Sequence, residues 1–311
     1  MSYYIAIDIG GTQMRAALYP ENVDKPDQVK RITTQSEGED PLDRLKDLIA
    51  SVWPPRSKVI SIAVAVPGPV DPYTGMVRQA PNIPGWVDLP LRQLMEERFH
   101  VPVALGNDAN LAGLAEWRYG SGRGHHHMIY VTVSTGIGGG IICDDRLLLG
   151  RHGLAGELGH VTVQPDGPLC GCGQRGHLEA FSSGPSIVRW VEQEMRAGKA
   201  TCLDSSRPFS AKDVSLAASQ GDALSIAAFQ QAGYFLGIAF TNYLHIFNPS
   251  ALILGGGVSR SGRLILDPME ASLREHVITP SYLDNLVIAT ATFGDDAGLL
   301  GALALAHTLT H

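Results

Sequence analysis

Cysteine is scarce, with four in 311 residues. Cys170 and Cys172 are separated by one glycine, too close for an ordinary structural disulfide, and Cys143 and Cys202 stand apart as small buried or indifferent residues. No disulfide framework is suggested, so a reducing cytoplasm is the expected location. Basic charge is also short. Lys and Arg number 24 against 31 Asp and Glu, for a net charge of −7 with the two signs scattered along the chain. A basic face or tail, the footprint of nucleic-acid binding, is therefore not expected. An anionic substrate stays open, because backbone amides and Mg²⁺ can hold phosphate locally. The N-terminus enters a strand at once, without a basic and then apolar leader. The most apolar long segment, 223–247, carries Gln230, Gln231, Asn242 and His245, which reads as a buried helix and not a membrane span. There is no G-x-x-x-x-G-K-[ST] stretch, and with it goes the lysine that such a loop places on phosphate.

What is present is glycine, 35 residues of it, in a chain long enough for two domains of ordinary size. The stretch from Glu157 to Glu179 organises the rest. It reads Glu-Leu-Gly-His, a nine-residue gap with Pro165, Gly167 and Pro168, then Cys-Gly-Cys-Gly-Gln-Arg-Gly-His-Leu-Glu. His160, Cys170, Cys172 and His177 are four candidate metal ligands among turn residues. Tetrahedral zinc takes four nitrogen or sulfur ligands, and a site filled by protein is structural. Such a metal would order an irregular segment and hold Glu157, His160 and Glu179 rigid around a small polar ligand. The competing reading is a Gly-rich loop with incidental cysteines.

In chain order, Tyr4 to Tyr19 alternates around Asp8-Ile-Gly-Gly-Thr12, a strand–turn–strand hairpin. Gly10 and Gly11 let the backbone approach a ligand; their amides and the Thr12 hydroxyl suit phosphate, and Asp8 a cation. A plain tight turn would look the same. Pro41 to Trp53 and Leu89 to Phe99 are helices, and Val59 to Val66 is a continuous apolar strand. A long loop through Asn82, Pro84, Gly85 and Trp86 follows it. The strand Val101 to Leu105 runs into Gly-Asn107-Asp108-Ala-Asn and a helix ending at Tyr119. A carboxylate at a strand end is well placed for chemistry, although a helix N-cap is the alternative for Asp108. The segment 120–127, with His125, His126 and His127, reads as a solvent-facing linker and the domain boundary, metal binding by the three histidines being the alternative. A second hairpin then repeats the first: Ile129 to Ser134, a turn over Thr135-Gly136-Ile-Gly-Gly-Gly140, and Ile141 onward. Two such turns look like jaws on one phosphate chain. Beyond the cysteine stretch come helices over 186–196, 211–218 and 222–247. Gly233 and Gly237 on the last allow close approach by a neighbour. Ala251 to Leu254 is a buried strand ending in Gly255, Gly256 and Gly257, which would admit a flat ligand near bare backbone or simply make a tight turn. A helix over 262–276, a strand over 286–292 and an Ala/Leu-rich closing helix complete the chain.

Four motifs carry a resemblance that spans essentially the whole length: Asp-Ile-Gly-Gly-Thr, Gly-Asn-Asp-Ala-Asn, Ser-Thr-Gly-Ile-Gly-Gly-Gly, and Glu-Leu-Gly-His through Cys-Gly-Cys-Gly-x-x-Gly-x-x-Glu. In this order they resemble the ROK family of sugar kinases and related repressors. The chain departs at His177, where the family usually has a third cysteine, and at Gln13. The resemblance implies an α/β protein of the two-domain actin/hexokinase-like, or ribonuclease H-like, ATPase fold, with mixed sheets and a cleft between lobes. The lobes would be 1–119 joined by the closing segment 296–311, and 120–295 with the zinc knot. It implies that Asn82, Asn107, Asp108, Glu157, His160 and Glu179 hold sugar hydroxyls, with Asp108 the base. Gly10, Gly11, Thr12, Thr135 and Gly136 would line the ATP phosphates, with Asp8 toward Mg²⁺. Gly255, Gly256 and Gly257 would lie beside adenosine, and structural Zn²⁺ would sit on His160, Cys170, Cys172 and His177.

The function expected is ATP-dependent phosphorylation of a hexose at its 6-hydroxyl, glucose first. N-acetylmannosamine, mannose or fructose are the alternatives. A sugar-responsive repressor would need a helix-turn-helix segment ahead of the first hairpin, where only three residues precede Tyr4. The partners expected are a hexose and a homo-oligomer, dimer or tetramer, without nucleic acid or membrane.

Overall fold

The computed structural model describes residues 1–309, so the last two positions of the expected closing segment lie outside the described residues. The first half contains β1 (Ser2–Ile9), β2 (Gln13–Pro20), β3 (Gln28–Thr33), α1 (Pro41–Val52), β4 (Lys58–Val66), β5 (Val70–Asp71), β6 (Met76–Gln79), β7 (Val87–Leu89), α2 (Leu91–Phe99), β8 (Val103–Asn107) and α3 (Asp108–Tyr119). The second contains β9 (Met128–Val133), β10 (Ile137–Cys143), β11 (Arg146–Leu147), α4 (Glu179–Ser182), α5 (Gly184–Arg196), α6 (Ala211–Ser219), α7 (Ala223–Phe247), β12 (Ala251–Gly255), α8 (Arg263–His276), β13 (Val287–Thr290) and α9 (Ala297–Thr308).

Two five-stranded mixed sheets result, ordered β3-β2-β1-β4-β8 and β11-β10-β9-β12-β13. Each opens with an antiparallel hairpin and continues with parallel strands. The alternation and glycine turns dictate the hairpins; the continuous apolar run of β4, buried from Ile62 to Val66, dictates a strand covered on both faces. Helices α3 and α9 pack against each other; α9 lies on β1 and β4, and α3 on β9 and β10. They form a shared apolar layer with Tyr4, Ala6, Tyr130 and Ile253.

Local signals account for the helix ends. Asp40 caps α1 by accepting from Leu42 N, with Pro41 at its first position. Ser210 and Asp213 close a capping box on α6. Asp222 caps α7 and left-handed Asn248 ends it. α7 is long and apolar enough to cross a membrane by length and composition, and 61% of its most apolar window is buried inside the protein. Its neighbour is α8. A side chain at Gly233 would meet Ile265 O at 2.7 Å, and one at Gly237 would meet Met269 O at 2.5 Å, so these glycines do admit a close helix.

Three expectations need correction. The loop after β4 is not structureless: β5, β6 and β7 form a small antiparallel sheet there. The second glycine turn ends at Gly136, and Gly138, Gly139 and Gly140 belong to β10. They are bare because neighbours press on them: a Cβ would lie 2.7 Å from Ala109 Cβ at Gly138, 2.5 Å from Leu158 Cδ1 at Gly139, and 3.1 Å from Asn110 O at Gly140. The histidine segment faces solvent only in part, and it is tied down. His125 Nδ1 lies 2.8 Å from Ser250 Oγ, and His126 Nδ1 lies 2.8 Å from Asp145.

The chain passes between the sheets at 120–127 and again at 291–296. Fully buried Glu116 joins these passages. It accepts from Ser121 N at 3.1 Å on one side and from Thr292 N at 2.8 Å and Phe293 N at 3.0 Å on the other. A carboxylate with three amide donors is the kind of buried charge that stays satisfied.

Candidate active site

Two cavities flank the turn between β9 and β10, one in the cleft between the two halves and one within the second half. The larger, about 1060 Å³, is lined by Asp8, Asn82, Asn107, Asp108, Thr135, Gly136, Glu157, His160, Cys172 and Glu179, among others. The second, about 790 Å³, is lined by Gly184, Arg189, Phe209, Lys212, Gly257 and Arg260, among others. Ser134 and Thr135 belong to both. The turn between β9 and β10 is thus the partition, and the two volumes suit a small polar ligand on one side and a larger, partly apolar one on the other.

Asp108 begins α3 directly after β8. The helix N-cap is Asn107, whose Oδ1 accepts from Ala109 N and Asn110 N at 3.0 and 3.1 Å. Its Nδ2 donates to Gly68 O at 3.1 Å. Because Asn107 does the capping, the Asp108 carboxylate is left to the cavity, holding the Ala109 amide at 2.8 Å. Burial pushes its pKa up to about 6; that amide opposes the shift, and the charges of Asp8 and Glu157 add to it. A carboxyl tuned upward between two others suits proton abstraction near neutral pH.

Asp8 lies on the cavity wall beside its cross-strand partner Arg15. Arg15 Nη2 is 2.6 Å from Asp8 Oδ2, and Nη1 reaches Asp296 Oδ1 at 3.3 Å in the passage before α9. Gly10, Gly11 and Thr12 form the turn above but line neither cavity. Thr12 is exposed. Gly10 is anchored by Thr34 Oγ1, which donates to its carbonyl at 2.6 Å. At Gly11 the missing side chain makes room for Asn82, whose Cβ would be 2.7 Å from an added Cβ.

The cysteine stretch folds into a compact knot. One ligand atom from each of His160, Cys170, Cys172 and His177 lies within 4.8 Å of the others. Cys170 Sγ is 3.8 Å from His160 Nδ1, and Cys172 Sγ is 3.3 Å from His177 Nδ1. Zinc–ligand bonds of about 2.0–2.3 Å put tetrahedral ligands roughly 3.3–3.8 Å apart, so this donor set fits the metal. The other imidazole nitrogen of His160, Nε2, points to the cavity side, 3.9 Å from Glu157 Oε2. Glu179 Oε2 accepts from Ile137 N at 2.9 Å, and its Oε1 accepts from the Cys170 thiol at 3.4 Å. Burial raises that thiol to about 11.

The three glycines after β12 divide. Gly255 is buried under Tyr130, whose hydroxyl would be 2.5 Å from an added Cβ. Gly256, with φ +88°, turns against Val133 O. Gly257 alone of the three lines the second cavity.

Sequence reasoning missed several groups. Arg15, three residues beyond the motif's Thr12, has no signal apart from its cross-strand position opposite Asp8. Asn110 stands inside a quoted motif without a role. It is 3% exposed, lines the larger cavity, and its Oδ1 has no donor among the described residues. Arg189, Phe209 and Lys212 reach the second cavity from α5, the approach to α6 and α6 itself, far along the chain from either glycine turn.

The ROK family profile matches residues 4–309. A glucokinase of Thermotoga maritima is 35% identical over 306 residues, covering 97% of this chain and 96% of that protein. The crystal structure of a ROK family glucokinase from Streptomyces griseus in complex with glucose and AMPPNP superposes with a TM-score of 0.80 at 36% identity, over 98% of this chain and 99% of that one. A ROK family transcriptional regulator superposes with a TM-score of 0.89 at 28% identity, over 99% of this chain and 78% of that one. The architecture is the expected actin/hexokinase-like one, and it is common to kinases and regulators.

Proposed function

The chain belongs to the ROK family, and from that premise we propose that it transfers the γ-phosphoryl group of ATP to the 6-hydroxyl of a hexose, glucose foremost. The observation that carries this reading is Asp108. It is spared the capping role by Asn107, raised to about 6, and lines the larger cavity together with the shared turn. A kinase needs a carboxylate to take the proton from the attacking hydroxyl, and a raised carboxyl on the cavity wall suits that task.

Phosphoryl transfer requires positioning and charge neutralisation more than covalent help. In this reading Asn82, Asn107, Glu157, His160 and Glu179 hold the sugar hydroxyls and aim the 6-hydroxyl at Asp108. The second cavity takes the adenosine, with Gly257, Phe209 and Lys212 around it, and Ser134, Thr135 and Gly136 meet the phosphates. Mg²⁺ carried by the nucleotide would neutralise charge on the Asp8 side. A zinc ion on His160, Cys170, Cys172 and His177 would serve as a structural brace, fixing the His160 tautomer so that Nε2 faces the sugar. The described cysteines are all free thiols, which suits a cytoplasmic enzyme. Exposed Ile246 and Ile278 offer apolar surface to a homo-oligomer.

The test is ADP release measured over glucose, mannose, fructose and N-acetylmannosamine. ATP-dependent turnover with glucose favoured is expected. Turnover on none of them, with glucose still bound, would favour a regulator.

A further inference from the structure

We propose that Glu179 is a positioning residue for the nucleotide, a carboxylate through which the cysteine–histidine knot and the shared turn are mechanically joined. This rests on the kinase reading above, but adds a role that sugar binding does not require. The carboxylate is divided between two jobs. Oε2 accepts from the Ile137 amide at 2.9 Å, at the point where the shared turn becomes β10. Oε1 meets the Cys170 thiol at 3.4 Å, in the metal knot.

The turn is built to receive it. A side chain at Gly136 would stand 2.7 Å from Glu179 Oε2, so glycine there makes room for the carboxylate. The turn closes on itself through Ser134 N to Gly136 O at 2.8 Å, and Gly184 N donates to Ser134 O at 2.8 Å. Ser134 and Thr135 therefore hang between two supports. One is the amide of Gly184 at the start of α5; the other is Glu179. Remove the carboxylate and the Ile137 amide loses its acceptor, leaving the partition between the two cavities braced from one side.

Glu179 also lines the larger cavity, so a hexose seated there meets the same carboxylate whose Oε2 holds the Ile137 amide. Hexose held by Oε1 and nucleotide held by the turn then share one rigid group, and binding of either favours the other equally.

Calorimetry of Mg·AMPPNP binding with no hexose present separates the two roles. In Glu179→Ala the dissociation constant should rise about tenfold or more, the cost of losing a charge-assisted acceptor on a structural amide. In Glu179→Gln nucleotide affinity should stay within about twofold of wild type, because the carboxamide oxygen still accepts from Ile137, while hexose affinity falls. Hydrogen exchange of the Ile137 amide should quicken in E179A and not in E179Q. If E179A does not fold, Glu179→Leu carries the same readouts. Wild-type nucleotide affinity in E179A, or an E179Q as weak as E179A, overturns the proposal. Either result leaves the kinase reading intact if the wild-type protein phosphorylates hexose.

Discussion

The two glycine turns look interchangeable in sequence and are not so in the folded chain. Each joins the first two strands of a mixed sheet, and each has a polar side chain seated where a Cβ would be. The intruder is Asn82 at Gly11 and Glu179 at Gly136, both at 2.7 Å. Both intruders also line the larger cavity. What differs is the support. The first turn leaves Thr12 exposed, lines neither cavity, and leans on Thr34 and on the Asp8–Arg15 pair. The second is clasped by Glu179 and Gly184, and its strand lies flat against α3 and Leu158 through three bare glycines. Glycine in such a turn reports a close approach; it does not say whether the visitor is a ligand or the protein's own side chain.

Asp108 lies between the two turns, and removing it should have the largest effect. Asp108→Asn is expected to lower kcat by about 10²–10⁴-fold while hexose still binds, the range for loss of a general base. In the wild type kcat/KM should fall as pH drops through about 6, because the base must be ionised. The two sides can be weighed against each other. Asp8 raises this carboxyl more than Glu157 does. Asp8→Asn should therefore move the inflection to lower pH further than Glu157→Gln does. A pH–rate profile that is flat between 5 and 8 would refute the assignment. The sign also reaches stability. A carboxyl raised in the folded state contributes stability at low pH that is lost as pH rises through about 6. D108N should melt above wild type at pH 8, and that advantage should vanish near pH 4.

The knot sets the next effect. Purified protein should carry about one zinc per chain, as for one closed four-ligand site. Cys170→Ala should lose that metal and weaken hexose binding. Nucleotide binding should suffer less, through Glu179 alone. Metal-free protein with full hexose affinity would remove the knot from the account.

How much of this could be read beforehand depends on the range of the interaction concerned. The hairpins, α7 with its Asp222 cap and Asn248 stop, and the four ligand candidates of the knot follow from patterns a few residues long, and they were legible. The strands β5, β6 and β7 were not. They are two to four residues each, inside a stretch rich in Pro and Gly, too short for any period to show. The extent of the second turn is hidden in the sequence because glycines inside a strand and glycines in a turn look alike until α3 is in place. Glu116 reads as one more helix carboxylate; only its meeting with Thr292 and Phe293, some 176 positions on, makes it a tie between the two passages. For the site, the motifs name Asn82, Asp108, Glu157 and Glu179, and the structure gathers them on one cavity. That Gly255 packs under Tyr130 while Gly257 opens on the second cavity is a tertiary fact with no local sign.

The turns themselves can be set against each other by one methyl group each. Gly11→Ala should push Asn82 aside and raise the KM for hexose, leaving Mg·AMPPNP affinity unchanged. Gly136→Ala should displace Glu179 and weaken both. Effects of about tenfold are reasonable for polar contacts of this kind. Equal effects on both ligands in the two variants would erase the distinction between the turns.

The smallest expected effect probes what lies beneath the second hairpin and has no counterpart beneath the first. Asn110, on α3, packs under Gly140 and beside Gly156, with its Oδ1 buried and no donor among the described residues. An acceptor left so costs about 1–3 kcal/mol. Asn110→Leu keeps the branching at Cγ, adds bulk on the side that faces the larger cavity and carries no polar atom, so it should raise the melting temperature by about 2 °C for each kcal/mol recovered. If the carboxamide waits for a hexose hydroxyl, the same variant should raise hexose KM and shrink the stabilisation that glucose confers. If it serves only to pack against Gly156, the melting temperature should fall and KM stay put. The second result would mean that α3 supports the shared turn by shape alone, with Glu179 as its polar tether.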